Sequence, residues 1–171
     1  MPLWNLGQRT KLRRSRQAEE RVARTLGGKT LPGSGSVPFA PGHSSLGADV
    51  RTARFLVEHK RTDTTNLVLQ CDWLTKIDQN AIRSARNPAL VFEVQFDPPW
   101  VLLKPPDALA AGVDPTAITA RITLRRTVTL TQGWLRTMAG SSPPHVAVET
   151  PYGVWYGLPL ELAKESMTCE L

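Results

Sequence analysis

Phe55-Leu56-Val57-Glu58-His59-Lys60 is the stretch that decides the fold, because an apolar run ends here in three ionisable residues. The apolar run predicts a buried strand, and side chains alternate along a strand, so Glu58 and Lys60 share one face. Asp49 lies nine residues before Glu58, after Ala48 and at the start of a second short β-like segment. Two carboxylates and an ammonium at one sheet edge predict a divalent-metal site with a cation beside it.

Length and charge narrow the class of protein. The 171 residues suffice for one domain, or for a domain with an appendage. Residues 1–106 carry 16 Lys and Arg against 9 Asp and Glu, whereas residues 107–171 carry 5 against 6. A basic first part predicts a polyanionic partner, although a generally basic protein has the same composition.

The cysteines and the hydropathy of the chain indicate the cellular compartment that we expect. Cys71 and Cys169 are far apart and have no metal-ligand spacing, which is typical of a reduced protein of the cytoplasm. No apolar run approaches the roughly 20 residues that span a bilayer, and the N-terminus lacks the apolar core of a signal peptide. We therefore expect no membrane association and no export.

Hydrophobic periodicity predicts an α/β domain over residues 13–106 that follows a loose basic arm at residues 1–12. A helix is expected from Arg13 to about Leu26, where two glycines end it, and a Pro-, Gly- and Ser-rich loop follows. The remaining expected elements are strands at 29–31, 48–52 and 55–60, a helix at 67–86, and strands at 89–96 and 100–103.

Residues 107–171 form a C-terminal extension with a strand–helix–hairpin pattern that echoes residues 55–110. In this alignment Glu58 becomes Thr123 and Lys60 becomes Arg125, so the copy loses the metal ligand. The extension is either a degenerate repeat or a chance similarity between units of the same pattern. In both cases we do not expect catalytic residues there.

The residues offer the groups that phosphodiester hydrolysis needs: charge neutralisation, an activated water and a stabilised leaving oxygen. Asp49 and Glu58 on adjacent strands can each give a carboxylate to a divalent ion, and the backbone carbonyl of His59 is a further candidate ligand. Lys60 can hold the attacking water, and Glu19 on the first helix can complete the ligand shell. The alternatives are a strand-end carboxylate and an ordinary surface ion pair.

Four segments together resemble a known family: Gln17-Ala18-Glu19-Glu20-Arg21, Leu31-Pro32-Gly33-Ser34-Gly35-Ser36, Ala48-Asp49-Val50 and Leu56-Val57-Glu58-His59-Lys60. In this order they are similar to the archaeal-type Holliday junction resolvases of the PD-(D/E)XK nuclease superfamily. The resemblance covers residues 13–106. It implies a restriction-endonuclease-like α/β core, with a central mixed β-sheet flanked by helices, to which the C-terminal strand–helix–hairpin extension is added.

The resemblance also implies roles for individual residues. Asp49 and Glu58 would bind one or two Mg²⁺ ions, for which Mn²⁺ substitutes, and Lys60 would be the catalytic lysine. Glu19 matches the helix-borne glutamate better than Glu20, because it keeps the family's distance to the apolar residue that follows. Ser34, or else Ser36, matches a loop serine near the scissile phosphate. Two departures are Ala48 in place of a proline and the long loop between Ser36 and Asp49.

The expected activity is magnesium-dependent cleavage of four-way DNA junctions by a homodimer, in the cytoplasm, or in the host cytoplasm if a phage encodes the chain. The expected phosphate contacts are Arg13, Arg14, Arg16, Ser34, Ser36 and Arg61. A restriction-like or repair endonuclease would use the same ligands on duplex or other branched DNA. A non-catalytic, architectural DNA-binding protein is the third interpretation.

Overall fold

The computed structural model describes residues 4–31 and 48–168, with side chains from residue 13 onward. In chain order its elements are α1 (Trp4–Thr25), β1 (Lys29–Thr30), β2 (Val50–Arg51), β3 (Phe55–Thr62), β4 (Asn66–Gln70), α2 (Cys71–Arg83), β5 (Asn87–Val94), β6 (Trp100–Leu103), α3 (Pro105–Ala110), β7 (Ala120–Thr123), β8 (Thr127–Thr131), α4 (Gln132–Ala139), β9 (Val146–Thr150), β10 (Gly153–Pro159) and α5 (Leu160–Thr168).

One mixed sheet of eight strands organises the described chain, in the order β1-β2-β3-β5-β6-β10-β9-β7. The pairs β3–β5 and β7–β9 are parallel, and every other neighbouring pair is antiparallel. The predicted α/β class, with a central mixed sheet flanked by helices, is confirmed. The C-terminal strands continue this sheet, because β10 pairs with β6 from Tyr156–Leu103 to Pro159–Trp100.

Two apolar clusters cover the two faces of the sheet. Helices α1, α3 and α5 pack on one face through residues such as Val22, Ala108 and Ala163. Helices α2 and α4 pack on the other face, through residues such as Leu74 and Leu135, together with the two-stranded sheet β4–β8. Burial of these side chains provides the main stabilisation of the layers.

The first helix is longer than predicted, since it begins at Trp4 and not at Arg13. Residues 4–12 are therefore helical rather than a loose arm, which agrees with the helix-favouring Lys, Leu, Arg and Gln residues in this stretch. The helix ends at Thr25, close to the predicted Leu26, and Gly27 just beyond it has a φ of 62°, which favours glycine. Gly28 then passes so close to β2 that a Cβ atom would lie 2.7 Å from the carbonyl oxygen of Arg51.

The predicted helix at residues 67–86 is wrong at its first turn, where the chain forms strand β4 before α2 starts at Cys71. Leu67 and Leu69 are buried and Val68 is exposed, which is the alternation of a half-buried strand. Strand β4 pairs along its length with β8, from Asn66–Thr131 to Gln70–Thr127. This partner lies about sixty residues away, so a local pattern could not reveal it.

The chain contains two units of the same order and pairing, which we name the N-terminal unit (55–110, β3 to α3) and the C-terminal unit (120–168, β7 to α5). Ala120 and Ile122 pack on the cluster that contains Leu56. Leu56, Glu58 and Lys60 lie on one face of β3, since side chains alternate along a strand. Ala120 and Ile122 therefore occupy the corresponding face of β7 in the C-terminal unit.

The predicted correspondence of Glu58 with Thr123, and of Lys60 with Arg125, is therefore wrong. Thr123 points to the opposite side of β7 from Ala120 and Ile122, so that alignment was shifted along the strand. That the C-terminal unit is a degenerate copy stays a prediction.

None of the described helices combines the length and apolarity that a bilayer crossing demands.

Candidate active site

Asp49 is fixed between β1 and β3, just before β2 begins. Its backbone N–H donates to the carbonyl of Val57 at 3.0 Å, and its own carbonyl accepts from the N–H of Leu31 at 2.8 Å. The carboxylate accepts a hydrogen bond of 2.7 Å from the backbone N–H of His59, and the residue is 7% exposed. The Asp49 carboxylate is thus oriented by backbone groups and buried at the sheet edge.

Glu58 and Lys60 lie side by side on β3, as their spacing predicts. The Lys60 Nζ is 2.5 Å from the Glu58 Oε1, and the Lys60 side chain is 29% exposed against 8% for Glu58. The ammonium also lies 5.3 Å from the centre of the Trp73 ring on α2. Burial raises the pKa of Glu58, and the charge of Asp49 raises it further, despite the opposing effect of Lys60.

Glu19 lies on α1, close enough to Asp49 for the two charges to interact. Its carboxylate accepts a 3.1 Å hydrogen bond from the Ser15 hydroxyl. Burial raises the pKa of Glu19, and so does the Asp49 charge. Glu20 is exposed and pairs with Arg16 at 3.2 Å. The structure therefore brings Glu19, and not Glu20, towards Asp49.

The His59 side chain points away from Glu58 and enters a buried network that the sequence did not reveal. Its Nε2 is 3.1 Å from the Glu93 Oε1 on β5, and Arg21 on α1 donates to the other Glu93 oxygen at 2.6 Å. Burial acts to raise the pKa of Glu93, but the hydrogen bonds from His59 and Arg21 outweigh it and lower that pKa. The network ties α1, β3 and β5 together directly behind the acidic residues.

The available signal for this network was Glu93 itself, a lone charge in the apolar run Ala89–Val94. A charged residue in a strand buried on both faces requires a partner. The sequence could not show which cation supplies it, because Arg21 lies more than seventy positions away.

Two carboxylates, Asp49 and Glu58, are the strongest candidate ligands for a divalent ion. Across residues 4–31 and 48–168, no group of three or more His, Cys, Asp or Glu side chains is arranged as a metal site. The predicted set of Glu19, Asp49 and Glu58 is therefore not a preformed cluster of three acids in the described residues. Burial and, after it, the neighbouring charge of Asp49 raise the pKa of Glu58, and a hard cation with oxygen ligands would offset both effects.

Two of the predicted phosphate-binding side chains, Arg14 on α1 and Arg61 near the end of β3, line one cavity. Arg14, Ser15, Arg61, Thr62, Asp63 and Thr64 line a cavity of about 380 Å³. Asp63 lies 3.1 Å from Arg61 and 3.7 Å from Arg14, while Arg13 is exposed. Ser34 and Ser36 lie outside the described residues, as does Cys169, whereas Cys71 is a buried free thiol.

Comparison with known proteins gives a distant structural likeness. No protein-family model matches the chain, and no curated protein matches it. Among solved structures, the chain is similar to Hjc from Archaeoglobus fulgidus, described as a Holliday junction resolvase from an archaeal hyperthermophile. The identity is 16%, the TM-score is 0.39, and the match covers 50% of this chain and 72% of that chain.

Proposed function

We propose that this chain is a metal-dependent DNA endonuclease whose active site is formed by Asp49, Glu58 and Lys60. The observation that supports it most strongly is a pair of buried carboxylates on adjacent segments of one sheet, with an ammonium 2.5 Å from one of them. Burial of two acids at a sheet edge costs stability, and functional sites are where such costs are tolerated.

Each residue has a defined task in phosphodiester hydrolysis. Asp49 and Glu58 would hold Mg²⁺, for which Mn²⁺ would substitute, and the carbonyl of His59 is a further candidate ligand. When bound, the ion would supply charge neutralisation for the phosphate and acidity for the attacking water. Lys60 orients that water, or neutralises the charge that develops on the phosphate, from its position over Trp73.

Glu19 is the remaining acid of the proposed site. It lies on α1, where burial and, after it, the nearby charge of Asp49 raise its pKa. It would bind a second ion or complete the shell through water, while Ser34 would contact the scissile phosphate. Behind them, Glu93 and Arg21 hold His59, and therefore β3, in a fixed position relative to α1.

The proposed substrate is branched DNA, with the four-way junction as the first candidate. The basic side chains of α1 and Arg61 would contact phosphates, so that affinity falls steeply with salt. The described residues of one chain carry one such acidic set. Paired incisions therefore require two chains, which agrees with the homodimer that the family resemblance implies, acting in the cytoplasm.

A direct experiment compares a labelled four-way junction with a linear duplex of matched sequence in Mg²⁺. We expect paired nicks near the branch point by the unaltered chain and none by Asp49→Asn. The control Asp72→Asn, at an exposed position on α2, should cut like the unaltered chain. Equal cutting of the duplex would favour a restriction-like or repair nuclease, and tight binding without cleavage would favour an architectural protein.

A further inference from the structure

Phe96, in the turn between β5 and β6, presents its side chain almost completely to solvent, with 93% of the residue exposed. The residues on both sides of it are fixed. Gln95 has a φ of 51°, unusual for a residue with a side chain, and its N–H donates to the carbonyl of Thr62 at 2.8 Å. The Asp97 N–H donates to the carbonyl of Val94 at 3.1 Å.

Asp97 is also held by an arginine from the C-terminal unit. Arg136 on α4 donates to one Asp97 oxygen at 2.7 Å through Nη2 and to the other at 3.1 Å through Nε. This bidentate contact fixes both the orientation of the turn and its distance from α4. Pro98 and Pro99 further restrict the backbone that leads into β6. The Phe96 ring is therefore displayed by a pre-organised turn.

The turn stands beside the cavity lined by Arg14, Arg61 and Asp63, in which two cationic side chains face one carboxylate. Thr62 pairs with Val94 at the end of the parallel strands β3 and β5, so Phe96 lies two residues beyond the pair that borders the cavity. The Gln95 side-chain amide reaches the carbonyl of Asp63, in the cavity wall, at 3.5 Å. An exposed aromatic ring and a pair of arginines, Arg14 and Arg61, thus occupy the same end of the sheet as Lys60.

We propose that Phe96 stacks on a nucleobase exposed at a branch point of DNA, while the cavity of Arg14 and Arg61 takes a phosphate of the same strand. Bases inside a duplex stack on one another, so their faces are available only where strands separate. A ring held outside the protein therefore contributes to binding of branched DNA and not to binding of a continuous duplex. This inference adds to the proposed function the DNA structure that the site recognises. It rests on the proposed function in one respect, which is that the partner is DNA.

The C-terminal unit offers a matched control. Tyr152, in the turn between β9 and β10, is 69% exposed. Because β6 and β10 are antiparallel, that turn lies at the opposite end of the sheet from Phe96. Tyr152→Ala removes an exposed aromatic ring from a hairpin turn of the same sheet, away from the acidic residues, and so tests for non-specific stacking.

The experiment measures equilibrium affinity of the full chain for a four-way junction and for a matched linear duplex, in EDTA so that no cleavage intervenes. The junction carries 2-aminopurine at the branch point. We expect Phe96→Ala to weaken junction binding by about tenfold or more and duplex binding by less than about twofold. Phe96→Trp should retain junction binding and the quenching of 2-aminopurine fluorescence, and Tyr152→Ala should bind both DNAs like the unaltered chain.

Several results would overturn the inference: unchanged junction binding in Phe96→Ala, equal losses on junction and duplex, the same loss in Tyr152→Ala, or no junction preference in the unaltered chain. Because the measurement needs no cleavage, its outcome is separate from that of the proposed function. A chain that never cuts DNA, but binds junctions through Phe96, would refute the nuclease and support the stacking role.

Discussion

The N-terminal and C-terminal units share the order strand, strand, helix, hairpin and helix, yet differ at the positions that could do chemistry. In the N-terminal unit, Glu58 and Lys60 pair with Leu90 and Phe92 of β5. In the C-terminal unit, Ala120 and Ile122 pair with Val146 and Val148 of β9, on the face of the same apolar cluster.

This comparison separates what the fold needs from what the proposed activity needs. The C-terminal unit forms the same parallel pair and the same hairpin with apolar residues, Ala120 and Ile122, at these two positions. The acid and the ammonium of β3 are therefore not required for this architecture. A buried acid with a raised pKa costs stability, so its presence in one unit only points to a function located in that unit.

Removing the Lys60 ammonium should give the largest difference in cleavage rate between variants of the two units. Lys60→Ala should lower the cleavage rate by about a hundred- to a thousandfold, because charge on the phosphate loses its stabilising partner. Junction affinity, measured in EDTA, should change little. The control is Arg125→Ala, which removes an exposed cation just after β7 and should leave the rate within about twofold of the unaltered chain. Undiminished cleavage by Lys60→Ala would remove this residue from the mechanism.

A second test compares two glutamates in corresponding strands. Glu93→Leu leaves His59 and Arg21 without their carboxylate and should lower the free energy of unfolding by about 3 kcal/mol. Glu149→Leu removes only an exposed contact with Arg121, at 3.3 Å, and should change it by about 0.5 kcal/mol or less. Urea unfolding followed by circular dichroism measures both. Similar losses in the two variants would show that the Glu93 network does not contribute specifically.

The pH dependence of stability should separate Glu58 from Glu93. The raised pKa of Glu58 means that its ionised form opposes folding, so Glu58→Gln should raise the melting temperature at pH 7 by up to a few degrees. That gain should disappear below the ordinary value of 4.5, where Glu58 is protonated in both states.

The contribution of Glu93 to stability depends on pH with the opposite sign. Its lowered pKa means that its contribution is complete above pH 4.5 and is lost as the pH falls further. The difference in melting temperature between the unaltered chain and Glu93→Leu should therefore shrink in acid. The exposed Glu161→Gln serves as a control and should show neither trend. A lower melting temperature for Glu58→Gln at pH 7 would contradict the sign assigned to Glu58.

The smallest expected effect concerns the tryptophans of α2 and α4. Trp73 lies under the Lys60 ammonium, a contact of about 0.5–1 kcal/mol, so Trp73→Leu should slow cleavage by about two- to fivefold. Trp134→Leu, in the helix of the C-terminal unit, should not change the rate. Single-turnover cleavage of a labelled junction resolves effects of this size. Equal slowing in the two variants would indicate a general loss of packing instead of a contact specific to Lys60.

Local patterns were sufficient for the elements that carry the site. The apolar run before Glu58 predicted β3, and its period-two alternation predicted the contact between Glu58 and Lys60, which lie 2.5 Å apart. The spacing between Glu19 and the apolar residue that follows it on α1 predicted that Glu19, and not Glu20, is the acid near Asp49. These inferences hold because each depends on the geometry of a single helix or strand.

Contacts between distant segments could not be predicted. Strand β4 exists because β8 pairs with it, and the helical pattern that follows β4 obscured its short alternation. The Arg21–Glu93 contact joins a helix and a strand that are adjacent only in the folded chain. The register of β7 against β9 decides that Ala120 corresponds to Glu58, and pairing register is a tertiary property.

The most direct test of the central claim is anomalous diffraction from a crystal of the full chain soaked in Mn²⁺. We predict a peak between the carboxylates of Asp49 and Glu58 and none near Ala120 in the C-terminal unit. A Mn²⁺ peak elsewhere, or no peak between these two carboxylates, would contradict the assignment of this sheet edge as a metal-dependent active site.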